Sequence, residues 1–285
     1  MRFKRKRKNT LIVIIAVIVG LIAFVSWQNN SITINEIVFK NDKIPEAFNG
    51  YRILQVSDLH NKEFGNKQNS ILEKIETINP DIIVITGDLI DSNNTDIDAA
   101  MELINGTIDI APIYYVSGNH EAWSGSYNNL KSKLEEAGVI VLDNEKTEVI
   151  KDNHSIDIIG LSDPSFNEAD SREYGDNIQT ENLLNNLVEQ NNYFKILLSH
   201  RPELFDIYSM SDVDLVFSGH AHGGQVRLPF IGGLIAPDQG FLPKLTEGIH
   251  TSNNTSMVIS RGLGNSIIPI RIFNRPELIV VTLSP

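Results

Sequence analysis

The sequence predicts a layered α/β fold, because short β-branched runs alternate with amphipathic helical patterns along residues 52–142. Five polar blocks point the same way, since each follows such a run. They are Asp58-Leu59-His60, Gly87-Asp88, Gly118-Asn119-His120-Glu121, Ser199-His200 and Ser218-Gly219-His220-Ala221-His222-Gly223-Gly224. In open α/β sheets the loops at the carboxyl ends of strands gather into one crevice, so these blocks are expected to converge. A third observation sets the N-terminus apart: residues 9–35 carry no charge and follow a basic run.

That basic run is Arg2, Lys4, Arg5, Lys6, Arg7 and Lys8, and residues 11–27 are apolar except for Gly20 and Ser26. Seventeen helical residues at about 1.5 Å each reach roughly 25 Å, close to a hydrocarbon core. Residues 1–8 therefore read as a cytoplasmic tail and 9–28 as a retained transmembrane anchor. Residues 31–285 read as one catalytic domain on the opposite face, close to the bilayer. Phe24-Val25-Ser26-Trp27 makes a poor cleavage sequence, which argues against a removed signal peptide. The alternative of a buried core helix is weaker still.

The first strand is expected over 31–40, before the turn signal Asn49-Gly50, and the next over 52–57, delivering Asp58 and His60. Ile71, Leu72, Ile75 and Ile78 recur at helical spacing until Asn79-Pro80. The run 81–86 is β-branched without alternation, as in a strand covered on both faces, and carries Gly87-Asp88 at its end. Ile97, Ala100, Met101 and Ile104 mark a helix and 112–116 a strand; Leu130, Leu134 and Ala137 mark a helix closed by Gly138. Strands follow at 139–142 and 155–161, and 163–179 reads as an irregular loop able to overhang the site. Leu183, Leu184, Leu187 and Val188 form a helix, and the remaining strands are 194–198, 213–217, 225–228, 256–260, 268–272 and 278–283. Residues 228–242 are apolar but broken by glycine and proline. A loop folded over the sheet edge is the default there, and a lipid-facing lip the alternative.

Composition narrows the function. Of 24 basic residues six lie in the tail, so the remainder of the chain has 18 against 36 acidic residues. Nucleic acid is not an expected partner of so acidic a domain. The absence of cysteine removes disulfides, thiolate nucleophiles and sulfur-rich metal sites, leaving oxygen and nitrogen donors. Five of the seven histidines fall in the polar blocks, and only His154 and His250 lie outside, where packing or surface roles are the default. Phosphoesters are hydrolysed well by two cations about 3.5–4 Å apart, one carrying the attacking hydroxide and both neutralising phosphoryl charge. Asp88 is the candidate bridging carboxylate. Imidazole and carboxylate donors suit Mn, Fe, Zn, Co or Ni, with Mn favoured here.

The ordered set Asp58-x-His60, Gly87-Asp88, Gly118-Asn119-His120, Ser199-His200 and Gly219-His220-Ala221-His222 resembles the calcineurin-like metallophosphoesterase family. The basic tail and single apolar span resemble its membrane-anchored bacterial branch. The resemblance covers about residues 51–283 and implies a four-layer α/β/β/α sandwich of two mixed sheets, preceded here by one transmembrane helix. It implies that Asp58, His60 and His222 bind one metal, Asn119, His200 and His220 a second, and that Asp88 bridges them. His120 is then a non-ligand beside the reacting phosphate, stabilising charge or donating a proton.

Glu121 reads equally as a group supporting these ligands or as a surface carboxylate. For Arg201, Arg227 and Arg261, surface solvation is the default over contact with substrate phosphate. The expected activity is hydrolysis of a phosphomonoester or phosphodiester, outside the cytoplasm or at the membrane surface. A phosphorylated lipid or lipid-linked envelope precursor is a narrower alternative, and a metal-binding scaffold or sensor the non-enzymatic one.

Overall fold

The computed structural model describes residues 2–167, 173–189, 191–265 and 269–285. Helix α1 (Arg2–Asn30) leads into strand β1 (Thr33–Lys40). The first half then alternates through β2 (Arg52–Val56), α2 (Asn69–Ile78), β3 (Ile82–Thr86), α3 (Ile97–Thr107), β4 (Ile113–Val116), α4 (Asn119–Ser124), α5 (Tyr127–Glu136) and β5 (Ile140–Val141). The second half runs through β6 (Glu145–Lys151), β7 (His154–Gly160), α6 (Glu173–Leu187), β8 (Phe194–Leu198), α7 (Phe205–Met210) and β9 (Leu215–Ser218). Four two-residue strands follow, β10 (Arg227–Leu228), β11 (Gly232–Gly233), β12 (Ile235–Ala236) and β13 (Gly240–Phe241). The chain closes with β14 (Gly248–Ser252), β15 (Thr255–Ile259) and β16 (Glu277–Ser284).

Two mixed sheets of six strands carry the architecture, in the orders β1-β16-β2-β3-β4-β5 and β14-β15-β9-β8-β7-β6. The uninterrupted apolar runs of the sequence follow from burial on both faces. In β3, Ile83 and Ile85 pack with Ile71 and Ile75 of α2 and with Leu103 and Ile104 of α3. The alternate residues Ile82 and Val84 face the second sheet, among Ile156, Ile158, Phe194 and Ile196. The outer face of that sheet, with Leu197, Val216 and Met257, is covered by Leu184 of α6 and by Phe205 and Tyr208 of α7. Helix, sheet, sheet, helix is thus the layer order, as expected.

Several local expectations are corrected. Residues 173–179 of the expected loop belong to α6, whose last two turns anchor it through Leu184 and its neighbours; residues 168–172 lie outside the described ones. The strand expected at 268–272 is only a bridge between Val226 and Ile272, with Ile268 outside the described residues. The edge strands β6 and β14 escaped the pattern because they are largely solvated and short of apolar periodicity. Strand β1 pairs with β16 over all eight residues, from Thr33↔Glu277 to Lys40↔Ser284. A chain begun at Tyr51 therefore exposes the β16 edge, and such a truncation is expected to aggregate or melt at lower temperature than the parent, by size exclusion and thermal unfolding.

Among the described residues α1 is the one helix long and apolar enough to cross a membrane, with mean hydropathy 2.8 over its best window within Asn9–Asn30. Its end is fastened to the domain. Gln28 and Asn29 are buried, Phe24 stacks edge-on against Phe273 at 5.8 Å, and Arg275 lies 4.8 Å over the Trp27 ring. The Asn29 side chain accepts the Arg271 N–H at 2.9 Å. Lys62 Nζ donates to the Asn29 carbonyl, satisfying one of the free carbonyls at the C-terminal end of the helix.

Candidate metal centre

The five polar blocks meet between the strand ends, and their backbone explains how. Asp58, His60, Asp88, His220 and His222 all adopt left-handed φ values, from 47° to 65°. Such turns reverse the chain just after a strand and aim side chains set one residue apart into different directions; each is a strained choice for a non-glycine residue. The loops are tied to one another: Asp58 N–H donates to the Gly87 carbonyl and His60 N–H to the Asp88 carbonyl, both at 3.0 Å. A side chain at Gly87 would meet Gly118 N at 2.6 Å and His200 Nδ1 at 2.7 Å, and one at Gly219 would meet Ser57 Oγ at 2.0 Å. Glycine is needed at both places for close approach.

Asp58, His60, Asp88 and His222 bring donor atoms within 4.8 Å of one another, and so do Asp88, His200 and His220. His60 and His222 face each other Nε2 to Nε2 at 3.1 Å, with Asp58 Oδ1 3.4 Å from His222 Nε2. In the second group His200 Nε2 lies 3.0 Å from Asn119 Oδ1, 3.2 Å from His220 Nδ1 and 3.2 Å from Asp88 Oδ2. Asp88 Oδ2 also lies 3.5 Å from His60 Nε2, so one carboxylate serves both groups. All seven expected ligands are buried.

Proton placement tells what such a cluster can hold. His200 Nδ1 donates to the Thr86 carbonyl at 2.7 Å, and His220 Nε2 to Asp238 at 3.0 Å. Each therefore turns its other ring nitrogen, as a lone pair, toward Asn119 and Asp88. Lone pairs facing lone pairs and carboxylates call for a cation, and the oxygen and imidazole donor set fits a divalent transition metal. This buried Asp/His cluster is consistent with divalent metal ions.

The electrostatics agree. Burial pushes His60 down to about 4 and holds His222 well below the usual histidine range, so both rings are neutral donors. Burial opposes charge on His200 too, but Asp88 beside it wins and raises it to about 10, so this carboxylate draws a positive charge to Nε2, a demand that a cation bound there would meet in place of a proton. The reciprocal effect holds Asp88 well below the usual carboxylate range in spite of burial, whereas burial raises Asp58.

His120 sits beside the cluster, its ring edge-on to His60 at 4.4 Å. Its Nδ1 accepts the Ser92 N–H at 3.0 Å, which leaves the proton on Nε2. His154 is exposed and His250 is occupied by the Glu247 carbonyl, both apart from the cluster as expected.

The groups behind the cluster correct the sequence reading. Glu121 is no surface carboxylate: it is fully buried and accepts four backbone N–H groups, from Asp88, Leu89, Ile90 and Gly118. Burial and Asp88 together raise it to about 8. Arg201 is buried as well, held by Asp163 at 2.6 and 3.0 Å. Arg227 is paired with Glu247, and Arg261 lies 2.8 Å from Glu277.

Four further contributors were not singled out from sequence. Asp91 Oδ2 stands 3.7 Å from His60 Nδ1 and 3.6 Å from His120 Nδ1. Arg271, buried behind His222 and 3.4 Å from its Nδ1, gives its other hydrogen bonds to backbone carbonyls. Asn274 Nδ2 holds the His222 and Gln225 carbonyls at 2.7 and 2.8 Å, and Asp238 is the acceptor for His220. Spacing gave a hint only for Asp91, three residues beyond Asp88.

Comparison with known proteins gives the same picture. The family model described as calcineurin-like phosphoesterase matches residues 51–224. The metallophosphoesterase YkuE of Bacillus subtilis is 32% identical over 266 residues, covering 90% of this chain and 87% of the relative. Phosphodiesterase YaeI of Escherichia coli is 25% identical over 86% of this chain and 84% of its own. A zebrafish transmembrane protein with a metallophosphoesterase domain is 29% identical over 85% of this chain, which spans 55% of that longer protein. Among solved structures, a dimetal phosphatase from Danio rerio superposes with TM-score 0.46 at 12% identity, over 75% of this chain and 88% of that one.

Proposed function

Because the chain belongs to the calcineurin-like phosphoesterase family, we propose that this metallophosphoesterase hydrolyses a phosphomonoester or phosphodiester at the Asp58–His222 cluster. The observation that carries the reading is the sharing of Asp88 Oδ2 between two groups of lone-pair donors. Asp58, His60 and His222 would hold one cation and Asn119, His200 and His220 a second, with Asp88 available to both. Bound there, divalent cations supply Lewis acidity toward the phosphoryl oxygens and activate water for attack.

The protein's own groups do the rest. His120, whose Nδ1 is taken by Ser92, offers Nε2–H to a phosphoryl or leaving-group oxygen as charge develops there. Glu121 clamps the loops bearing Asp88 and Gly118, so the ligand positions are fixed before substrate arrives. Asn274 does the same for the His222 turn. His220 and His222, one residue apart, turn to different groups, so replacing one weakens a different cation from replacing the other.

The basic tail and the apolar span support a reading with the N-terminus in the cytoplasm and residues 31–285 on the opposite face. Supporting the membrane reading are α1 and the transmembrane relative.

The test uses the full-length chain in detergent or nanodiscs with an activated aryl phosphate. Turnover is expected with added Mn, is lost on chelation and returns when Mn is restored, while metal analysis reports bound cations. Metal-loaded protein without turnover on any phosphomonoester or phosphodiester overturns the reading.

A further inference from the structure

We propose that residues 227–242 form a lip that enters the bilayer crossed by α1, so that the site takes its phosphoester from a lipid. The inference rests on the phosphoesterase and membrane-span readings above and names the substrate class. It begins from an expectation met only in part: Ala236 tucks into the core, but the bulky apolar residues at 230–231 and 241–242 do not fold inward. Phe230 is wholly exposed at 109% and Phe241 at 84%, and Ile231 and Leu242 beside them are also exposed. Large exposed apolar side chains grouped on one segment mark a contact surface.

Backbone conformation adds a second observation. Phe230, at the tip of the β10–β11 hairpin, has φ 70°, and Leu242, at the base of the β12–β13 hairpin just past Phe241, has φ 52°, so both bulky apolar residues are held in a conformation unfavourable for such side chains. Strain of this kind persists where the surrounding structure or a function imposes it. Here the hairpin pairings impose it, with β10 against β11 and β12 against β13.

The bilayer as occupant is argued from continuity. Val226 bridges Ile272 immediately before the lip, and the next residue, Phe273, packs on Phe24 of α1. Ile270 and Phe273 are themselves exposed, so apolar surface runs from the anchor helix to the base of the lip. The other side of the lip adjoins the site: Leu234 N–H donates to the Gly224 carbonyl at 3.2 Å, and Asp238 lies 3.0 Å from His220. One segment thus joins the anchor, an apolar tip and the cluster. Electrostatic attraction to anionic headgroups does not provide the contact, because the chain carries a formal charge of -12. Apolar insertion does, on the order of 5–10 Å deep as for interfacial helices.

The chain contains no cysteine, so Phe230→Cys, Phe241→Cys and Ile150→Cys each give one labelling position in the full-length protein. Ile150 is exposed on β6, at the far edge of the second sheet, and serves as the aqueous control. A bimane label is read in nanodiscs of phosphatidylglycerol and phosphatidylethanolamine. Labels at 230 and 241 are expected to be quenched severalfold more by nitroxide-bearing lipid than by aqueous iodide, at low and high salt alike, with the reverse at 150. Labels at 230 and 241 that behave like the one at 150 overturn the lip.

The substrate half is read by combining Phe230→Ser with Phe241→Ser. Severalfold loss of phosphatidic acid hydrolysis in nanodiscs, with aryl phosphate turnover unchanged, is expected. Equal effects on both substrates overturn it. A parent chain inactive on both substrates overturns the phosphoesterase reading instead, while the quenching result still decides the lip.

Discussion

Asp88→Asn is expected to abolish aryl phosphate hydrolysis while leaving the fold intact. The substitution keeps shape, and the remaining amide oxygen can still accept the His120 N–H that Asp88 Oδ1 takes at 2.8 Å. What disappears is the negative charge that Oδ2 presents to His60 and His200 together. Loss of an outer partner of a metal ligand typically costs roughly 10–100-fold in affinity or activity, and a carboxylate shared by both groups should exceed that. Steady-state turnover with Mn, metal stoichiometry and a thermal melt in the same detergent check the claim. Parent-like turnover in the variant would falsify the assignment of Asp88. His154→Gln, exposed and remote from the cluster, should leave all three measurements unchanged.

The second large effect concerns stability rather than chemistry. Glu121→Ala removes the acceptor of four buried backbone donors, at Asp88, Leu89, Ile90 and Gly118. Each buried donor left unpaired costs about 1–3 kcal/mol, although the loops relax and the terms do not simply add. For a domain of this size each 1 kcal/mol lowers the melting temperature by about 2–4 °C, so a fall on the order of 10 °C is expected. Glu121→Gln should recover part of it, because the amide keeps one acceptor oxygen. An unchanged melt for Glu121→Ala would show that water satisfies these donors. Metal affinity should fall alongside stability, since the clamped loop carries Asp88.

The two effects separate what different residues contribute. Asp88 faces the cluster directly, whereas Glu121 lies behind it and accepts backbone N–H groups. Sequence singled out Asp88 as a candidate ligand but left Glu121 open between a supporting and a surface role, and packing decided it. The same holds for the arginines. Arg201, Arg227 and Arg261 were expected to be solvated, yet each is paired with a carboxylate. Nothing in the sequence near Arg201 announces Asp163, 38 residues earlier, as its partner.

The sequence by itself determined the layer pattern, the apolar N-terminal helix and the seven candidate ligands, because each rests on local spacing. β-branched runs dictate strands buried on both faces, and histidine and aspartate after those runs can only emerge at strand ends. The tertiary structure decided everything that depends on residues distant in the chain. It sorted the donors into two groups sharing Asp88, through left-handed turns that local propensity disfavours and only the closed loops enforce. It buried Glu121, Arg201 and Arg271 around them, and turned Phe230 and Phe241 outward where apolar composition suggested an inward fold. Hydrophobic periodicity records which face of an element is buried, but not which distant loop will meet it. Closure of the two sheets makes that choice, by bringing residues more than 160 positions apart, such as His60 and His222, within 3.1 Å.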